Sequence, residues 1–372
     1  MTGISMNNEQ LKQRAGEVIS GRDNDSTLAK VLGGVAKVYG RGMVLRWRLY
    51  QKKWLKTRRL PCRIISVGNL TLGGTGKTPM TIYMAAFLKS MGIDPVIVCR
   101  GYKGKYERSV GIVTDGFSMF LKPEEAGDEA YLMASKLSGV PVVVGKDRYA
   151  SGTKAFNFFN PDVIILDDGF QYLRLFRDLN LLLVDAANPV GNGYIFPRGP
   201  LREPSAHLER ADALVITRTE AKKFDPHLFN KKLRVSGKPI FRCRHVPDVL
   251  SVLTPDNQWK KCRTESIRDR KCVAFSGIAK NEDFLKMLLE LGCRVEDFVA
   301  FADHHKFSAK DVEIVLNKAR KSGVEFLITT EKDRVKLPNH MFSAISLYSL
   351  GVRISFIGED KIRFKKFVFE KL

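Results

Sequence analysis

Ile65 to Met80 reads ISVGNLTLGGTGKTPM, a β-branched run followed by closely spaced glycines and one lysine, ahead of a segment with helical periodicity. No other stretch limits the fold so tightly. Backbone that turns through several glycines into a helix points successive N–H groups inward, beside the positive end of the helix, and makes a cradle for phosphates that any Cβ would obstruct. The stretch departs from the general phosphate loop G-x-x-x-x-G-K-[ST] at one place, where Thr71 stands for the first glycine. On this reading Gly73, Gly74, Thr75 and Gly76 form the cradle, Lys77 reaches the β- and γ-phosphates, and the Thr78 hydroxyl takes one position on a magnesium ion. A glycine-rich turn without a ligand is the plain alternative.

From Pro61 onward, short apolar runs alternate with helical patterns. Strands are expected at Arg63–Val67, Pro95–Cys99, Val140–Val144, Val163–Leu166, Leu179–Val184 and Ala213–Thr217, and helices at Pro79–Met91, Asp128–Leu137 and Tyr149–Asn157. Uninterrupted β-branched runs flanked by helices imply a parallel sheet covered on both faces, so the expected class is α/β, a P-loop NTPase-like doubly wound parallel sheet. The alternation restarts at Cys272–Ser276 and runs through Glu282–Leu291, Val295–Ala300, Ala309–Lys321 and Glu325–Thr329, which suggests a second, smaller α/β domain. The expected organisation is therefore an extension at 1–26, a basic amphipathic segment at 27–60, a phosphate-loop domain at 61–239, a strand-like hinge at 240–262 and the smaller domain at 263–372.

Charge narrows the partners. The chain of 372 residues carries a formal +22, which calls for an anionic partner: nucleic acid, an anionic membrane surface or a phosphorylated substrate. Residues 27–63 hold Lys30, Lys37, Arg41, Arg46, Arg48, Lys52, Lys53, Lys56, Arg58, Arg59 and Arg63 and no acid. Apolar residues recur there at Leu28, Val31, Leu32, Val35 and Val38 and again from Val44 to Leu55, close to a helical period, although Gly33, Gly34, Gly40 and Gly42 weaken a single continuous helix. Such a segment either packs with a solvated basic face or lies on anionic lipid. No helix-turn-helix, zinc-finger or RNP-type signature supports nucleic acid. The six cysteines contain no C-x-x-C pair, so reduced thiols inside the cell are expected, and no export signal or spanning run is read.

Carboxylates complete a nucleotide site. VIILDDGFQ puts Asp167 and Asp168 at the end of an apolar strand, where paired acids repel unless a cation joins them, and both are candidate metal ligands. Asp185, after LNLLLV, is a weaker candidate of the same kind. Asp128 stands at a helix start, where an N-cap is the bland role, and FADHHKF supplies Asp303, His304 and His305. TTEKDRVKL (329–337) has no physical account at this level beyond closing a helix N-terminus.

The ordered set GNLTLGGTGKTP, CRGY, GDEAYLMA, GKDRY, LDDGFQ, NGYIFPRGPLREP, FADHHKF and TTEKDRVKL resembles the tetraacyldisaccharide 4'-kinase family over about residues 28–345. The family's own loop looks like GGTGKTP, so Thr71 is normal within it, while Ala130 stands where Pro is commoner. The resemblance implies an ATP- and magnesium-dependent phosphotransferase acting on the 4'-hydroxyl of tetraacyldisaccharide 1-phosphate in lipid A synthesis. It implies Asp128 as the catalytic aspartate supported by His304 from the other domain, through a contact that waits on domain closure. It further implies Asp167 and Asp168 at the metal, Lys77 and Arg148 as cationic clamps, Asn69 and Thr71 beside the nucleotide, and Tyr102, Gln171, Arg202 and Glu203 toward the lipid substrate. A peripheral monomer on the cytoplasmic face of the inner membrane is expected, with 27–60 facing the bilayer and no nucleic-acid partner. The competing readings are a soluble phosphate-loop NTPase or small-molecule kinase, and a basic nucleic-acid-binding protein.

Overall fold

The computed structural model describes residues 8–219, 237–342 and 344–372. The chain forms two compact units, each assembled from separated stretches. One contains the residues up to Lys77 with Asp168–Arg244 and Phe356–Leu372, and the other contains Thr78–Asp167 with His245–Ser355.

In chain order, the described elements begin with α1 (Asn8–Ser20), α2 (Thr27–Gln51), β1 (Arg63–Asn69) and α3 (Lys77–Ser90). The stretch to Asp167 continues with β2 (Pro95–Cys99), β3 (Gly111–Thr114), α4 (Pro123–Ala126), α5 (Asp128–Lys136), β4 (Val142–Val144), α6 (Arg148–Phe159) and β5 (Val163–Asp167). Then follow β6 (Leu179–Asp185), β7 (Ala213–Thr217), β8 (Ile240–Leu253), β9 (Trp259–Cys262) and β10 (Lys271–Ser276). The chain ends with α7 (Asn281–Glu290), β11 (Arg294–Ala300), α8 (Ala309–Ser322), β12 (Phe326–Thr330), α9 (Glu331–Arg334), β13 (Ser346–Phe356) and α10 (Asp360–Lys371).

In the first unit β1, β6, β7 and the start of β8 lie side by side, each pair parallel. The reason is legible in the residues, since β6 and β7 are buried at every position and β1 at all but Arg63, as strands covered on both faces must be. Their core joins Leu70, Phe170, Leu182, Leu201, Leu214 and Ile216. At the chain end, Asp360 accepts from the Arg242 backbone N–H and Nε, and Phe364 packs against Phe241 and Phe356.

Helix α2 is continuous despite the glycines expected to weaken it. It runs unbroken for 25 residues from the Ser26 cap, whose hydroxyl accepts from Ala29 N–H. Its buried face consists of Ala29, Gly33, Ala36 and Gly40, while Val31, Val35, Val38 and Leu45 are exposed. Large side chains from the body fill the notches: a Cβ on Gly33 would stand 2.9 Å from Arg198 Nη1, and one on Gly40 2.7 Å from Ile195 Cδ1. Glycines that weaken an isolated helix here permit its close docking.

In the second unit β5, β2 and β4 are parallel and β3 closes their edge antiparallel to β4. A further set, β11, β10, β12 and β13, is also parallel, with α7 and α8 as crossovers. The expected 240–262 segment is strand: β8 spans 14 residues and pairs antiparallel with β9. The whole is a mixed, mostly parallel α/β fold of the P-loop NTPase kind.

Candidate active site

The phosphate loop joins β1 to α3 in the expected strand–turn–helix order. Gly73 (φ 99°) and Gly76 (φ 89°) lie in the left-handed region, which explains why side chains are absent there. The loop is pinned from outside by paired neighbours. Leu72 N–H donates to Pro200 O, Arg202 N–H to Leu70 O, and Arg218 Nη2 to Gly74 O, while Thr217 Oγ1 donates to Thr75 O. Arg218 also pairs with Asp185 at 2.9 Å, so Asp185 supports the residue that holds the loop.

Around Lys77 the first unit gathers most of the residues assigned to the nucleotide. Lys77 Nζ is 3.1 Å from Asn69 Oδ1 and 3.6 Å from Asp168 Oδ1. Asn69 Nδ2 donates to Thr71 O, and Gln171 Nε2 donates to Asn69 O. Arg202 Nη1 reaches both Asp168 oxygens at 2.8 and 2.7 Å. Asp168 itself sits at φ 55°, a conformation a non-glycine residue holds only when its surroundings fix it. Arg177 supplies that fixing, because its Nη1 donates to the carbonyls of Gly169, Phe170 and Tyr172. Burial and the nearby Arg210 lower the Arg177 pKa to about 10, so it remains charged at neutral pH.

Glu203 is only 1% exposed. Its carboxylate accepts from Arg210 Nη2 at 2.9 and 2.7 Å and lies 2.6 Å from His207 Nδ1, with Trp47 of α2 packed on the His207 ring. Burial alone would raise its pKa, but the His207 hydrogen bond and the Arg210 charge outweigh that and hold it below the ordinary value. Expected to meet the lipid, Glu203 is instead engaged internally and braces the segment that carries Arg202.

The second unit holds the other cluster. Asp128 is the first residue of α5, and the cap is Gly127, so the N-cap role does not belong to Asp128. A Cβ on Gly127 would stand 2.8 Å from Tyr102 O, and one on Gly104 2.7 Å from Gly127 N. The CRGY stretch and the α5 start thus touch main chain to main chain. Asp128 Oδ2 lies 3.4 Å from His304 Nδ1 and 3.6 Å from Lys336 Nζ. The contact foreseen as waiting on closure is made inside one compact unit. Burial would raise the Asp128 pKa, yet His304, Lys336 and Lys332 together bring it below the ordinary carboxylate value. The Tyr102 ring stands edge-on to His304 at 5.4 Å, and His304 has φ 57°.

Arg148 is 5% exposed, and its guanidinium donates to the carbonyls of Gly145 and Asp167. It therefore shapes the carboxyl end of β5. Asp167 Oδ1 accepts from Thr81 Oγ1 at 2.8 Å. Thr78 occupies the second position of α3. Sequence reasoning missed Lys332 and Lys336, which lie in the unexplained TTEKDRVKL stretch, and Arg177 and Arg218, whose partners are distant or main-chain.

Comparison with known proteins agrees over almost the full length. Residues 28–372 match the family model described as Tetraacyldisaccharide-1-P 4'-kinase. A tetraacyldisaccharide 4'-kinase of Desulfatibacillum aliphaticivorans is 42% identical over 359 residues, 95% of each chain. One from Syntrophus aciditrophicus is 40% identical, covering 89% of this chain and 90% of its own. A crystal structure of LpxK from Aquifex aeolicus in complex with ATP is similar with a TM-score of 0.74 at 34% identity, covering 93% of this chain and 99% of that one.

Proposed function

The chain belongs to the tetraacyldisaccharide-1-P 4'-kinase family, and on that premise we propose that it transfers the γ-phosphoryl group of ATP to the 4'-hydroxyl of tetraacyldisaccharide 1-phosphate in lipid A synthesis. The observation that carries this is the family match over residues 28–372 joined to a strand–glycine loop–helix whose lysine is held beside Asn69 and Asp168.

Phosphoryl transfer has a loose transition state with charge spread over the equatorial oxygens, so positioning and cationic contacts dominate the rate. Lys77 would exchange Asn69 and Asp168 for the β- and γ-phosphates when nucleotide enters. Thr78, Asp167 and Asp168 offer the hard oxygen donors that magnesium takes together with substrate phosphates. Bound there, magnesium would neutralise developing phosphate charge. Arg202 is poised to compensate Asp168, and Arg148 acts through the backbone of Asp167.

At the acceptor, Asp128 orients the hydroxyl and takes its proton as oxygen bonds to phosphorus and the bond to ADP breaks. His304 holds the carboxylate in place. Tyr102, Gln171 and Arg202 are the residues assigned to the lipid, with Gln171 acting at least in part by bracing Asn69.

Because the substrate carries acyl chains, the protein must reach a bilayer. No helix among the described residues is long and apolar enough to cross one. The exposed Val31, Val35, Val38 and Leu45 stripe on α2, flanked by Lys30, Lys37 and Arg41, suits peripheral binding at the anionic cytoplasmic face of the inner membrane. The deciding assay is thin-layer detection of label moving from γ-labelled ATP to tetraacyldisaccharide 1-phosphate. Transfer no faster than with a Lys77→Ala control would remove the assignment.

A further inference from the structure

Lys332 lies in α9, within the stretch that the sequence left without a role. An ammonium has three hydrogens and no lone pair, so it can only donate. Three acceptors surround Lys332 Nζ: Glu129 Oε1 at 3.1 Å, Asp303 Oδ1 at 3.3 Å and His304 Nε2 at 3.3 Å. A ring nitrogen facing an ammonium must present its lone pair. A neutral imidazole that accepts at Nε2 carries its hydrogen on Nδ1, which is the atom 3.4 Å from Asp128 Oδ2.

We infer that Lys332 is a positioning residue that fixes His304 as the neutral Nδ1–H tautomer. His304 then donates to Asp128 Oδ2 and leaves Oδ1 for the acceptor hydroxyl. The inference rests on the role proposed above for Asp128.

The surrounding charges show why a lysine is needed. Facing His304 are Asp128 and Glu129 from α5, Asp303 from its own loop, Lys332 from the stretch after β12, and Lys103, whose Nζ lies 3.5 Å from His304 O, while Lys336 reaches Asp128. Glu129 and Asp303 each stand 3.9 Å from Nε2. Without Lys332, Nε2 would face these two carboxylates, an arrangement that favours a hydrogen on that nitrogen. Burial would strip Lys332 of its own proton, but Glu129 and Asp303 more than compensate and raise its pKa. His304 is also fixed through its main chain, since its N–H donates to Gly277 O.

The test reads the ring proton directly. In protein labelled with ¹⁵N-histidine, with His304 assigned by its loss in His304→Asn, long-range ¹H–¹⁵N spectra near neutral pH should show a protonated Nδ1 and a bare Nε2. Lys332→Met should protonate Nε2 and lower kcat about ten-fold or more with KM for ATP nearly unchanged, as expected when a histidine loses its working tautomer. Lys332→Arg, which keeps charge and donors, should restore the wild-type spectrum and most of the turnover. A wild-type ring protonated at Nε2, or a Lys332→Met spectrum identical to wild type, would overturn the inference. Should Lys332→Met fail to fold by circular dichroism, the wild-type and Lys332→Arg spectra still decide. The proton's position does not depend on Asp128 being the base, which is judged separately by turnover of Asp128→Asn.

Discussion

Asp128 illustrates how surroundings rather than residue type set a role. A carboxylate with a lowered pKa is a weak base for a free alcohol, yet it is always ionised at working pH and can accept the proton once the new bond to phosphorus has begun to form. Asp128→Asn keeps the shape and removes the base, so kcat should fall by roughly 10² to 10⁴ while KM for ATP changes little. Steady-state kinetics with saturating lipid would check this. Glu203 makes a different prediction because its partners are structural. Its pKa is depressed in the folded protein, so its ion pair stabilises the fold above the ordinary glutamate value and is lost as pH falls through the folded value. Glu203→Gln should therefore destabilise the fold at neutral pH by about 3–5 kcal/mol if Arg210 is left buried and unpaired, which lowers Tm. The gap from wild type should close in acid, as thermal melts across pH would reveal. Lys77 and Asp168 could be read from short motifs whose chemistry is local, whereas Asp128 and His304 are singled out only through the family resemblance. Lys332, Arg177 and Arg218 could not, since nothing near them in the chain names their acceptors.

Helix α2 shows the limit of periodicity as a guide. The apolar residues do recur at helical spacing, and the helix exists. Val31, Val35, Val38 and Leu45 nevertheless lie on the exposed side, because Ala29, Gly33, Ala36 and Gly40 form a face narrow enough to admit Arg198 and Ile195. A stripe of large apolar residues beside lysines suits the peripheral bilayer contact proposed above. Each cation near an anionic surface contributes about 1 kcal/mol, so Lys37→Ala combined with Arg41→Ala should weaken binding to anionic vesicles roughly 30-fold. Neutral vesicles should bind wild type and variant alike and poorly. Equal sedimentation of wild type with both lipid types would exclude the electrostatic part.

At the scale of the molecule, the second unit joins Thr78–Asp167 to His245–Ser355. Lys136 of α5 bridges Asp248 at 3.0 Å and Glu331 at 2.7 Å, and is largely buried in doing so. Lys332 reaches Glu129, and His304 reaches Asp128, from the same distant stretch. A fragment ending at residue 239 would leave those groups without partners and uncover the apolar residues beneath them. It should fail to fold cooperatively, which urea titration followed by circular dichroism would register. A sharp transition comparable to that of the full chain would show that the N-terminal stretches fold alone.

The sequence by itself determined the phosphate loop, the parallel strands and the family. Each depends on residues close together in the chain: glycines where φ must be positive, β-branched runs where both strand faces are covered, and motifs whose spacing is set by one turn. Tertiary structure alone decided which face of α2 is buried, that Glu203 and Arg148 are buried and hydrogen-bonded within the fold, and that TTEKDRVKL brings its lysines to Asp128 and His304. Those outcomes depend on groups brought together from up to about two hundred residues apart, and Coulomb and hydrogen-bond energies fall off over a few ångströms of space with no regard to distance along the chain.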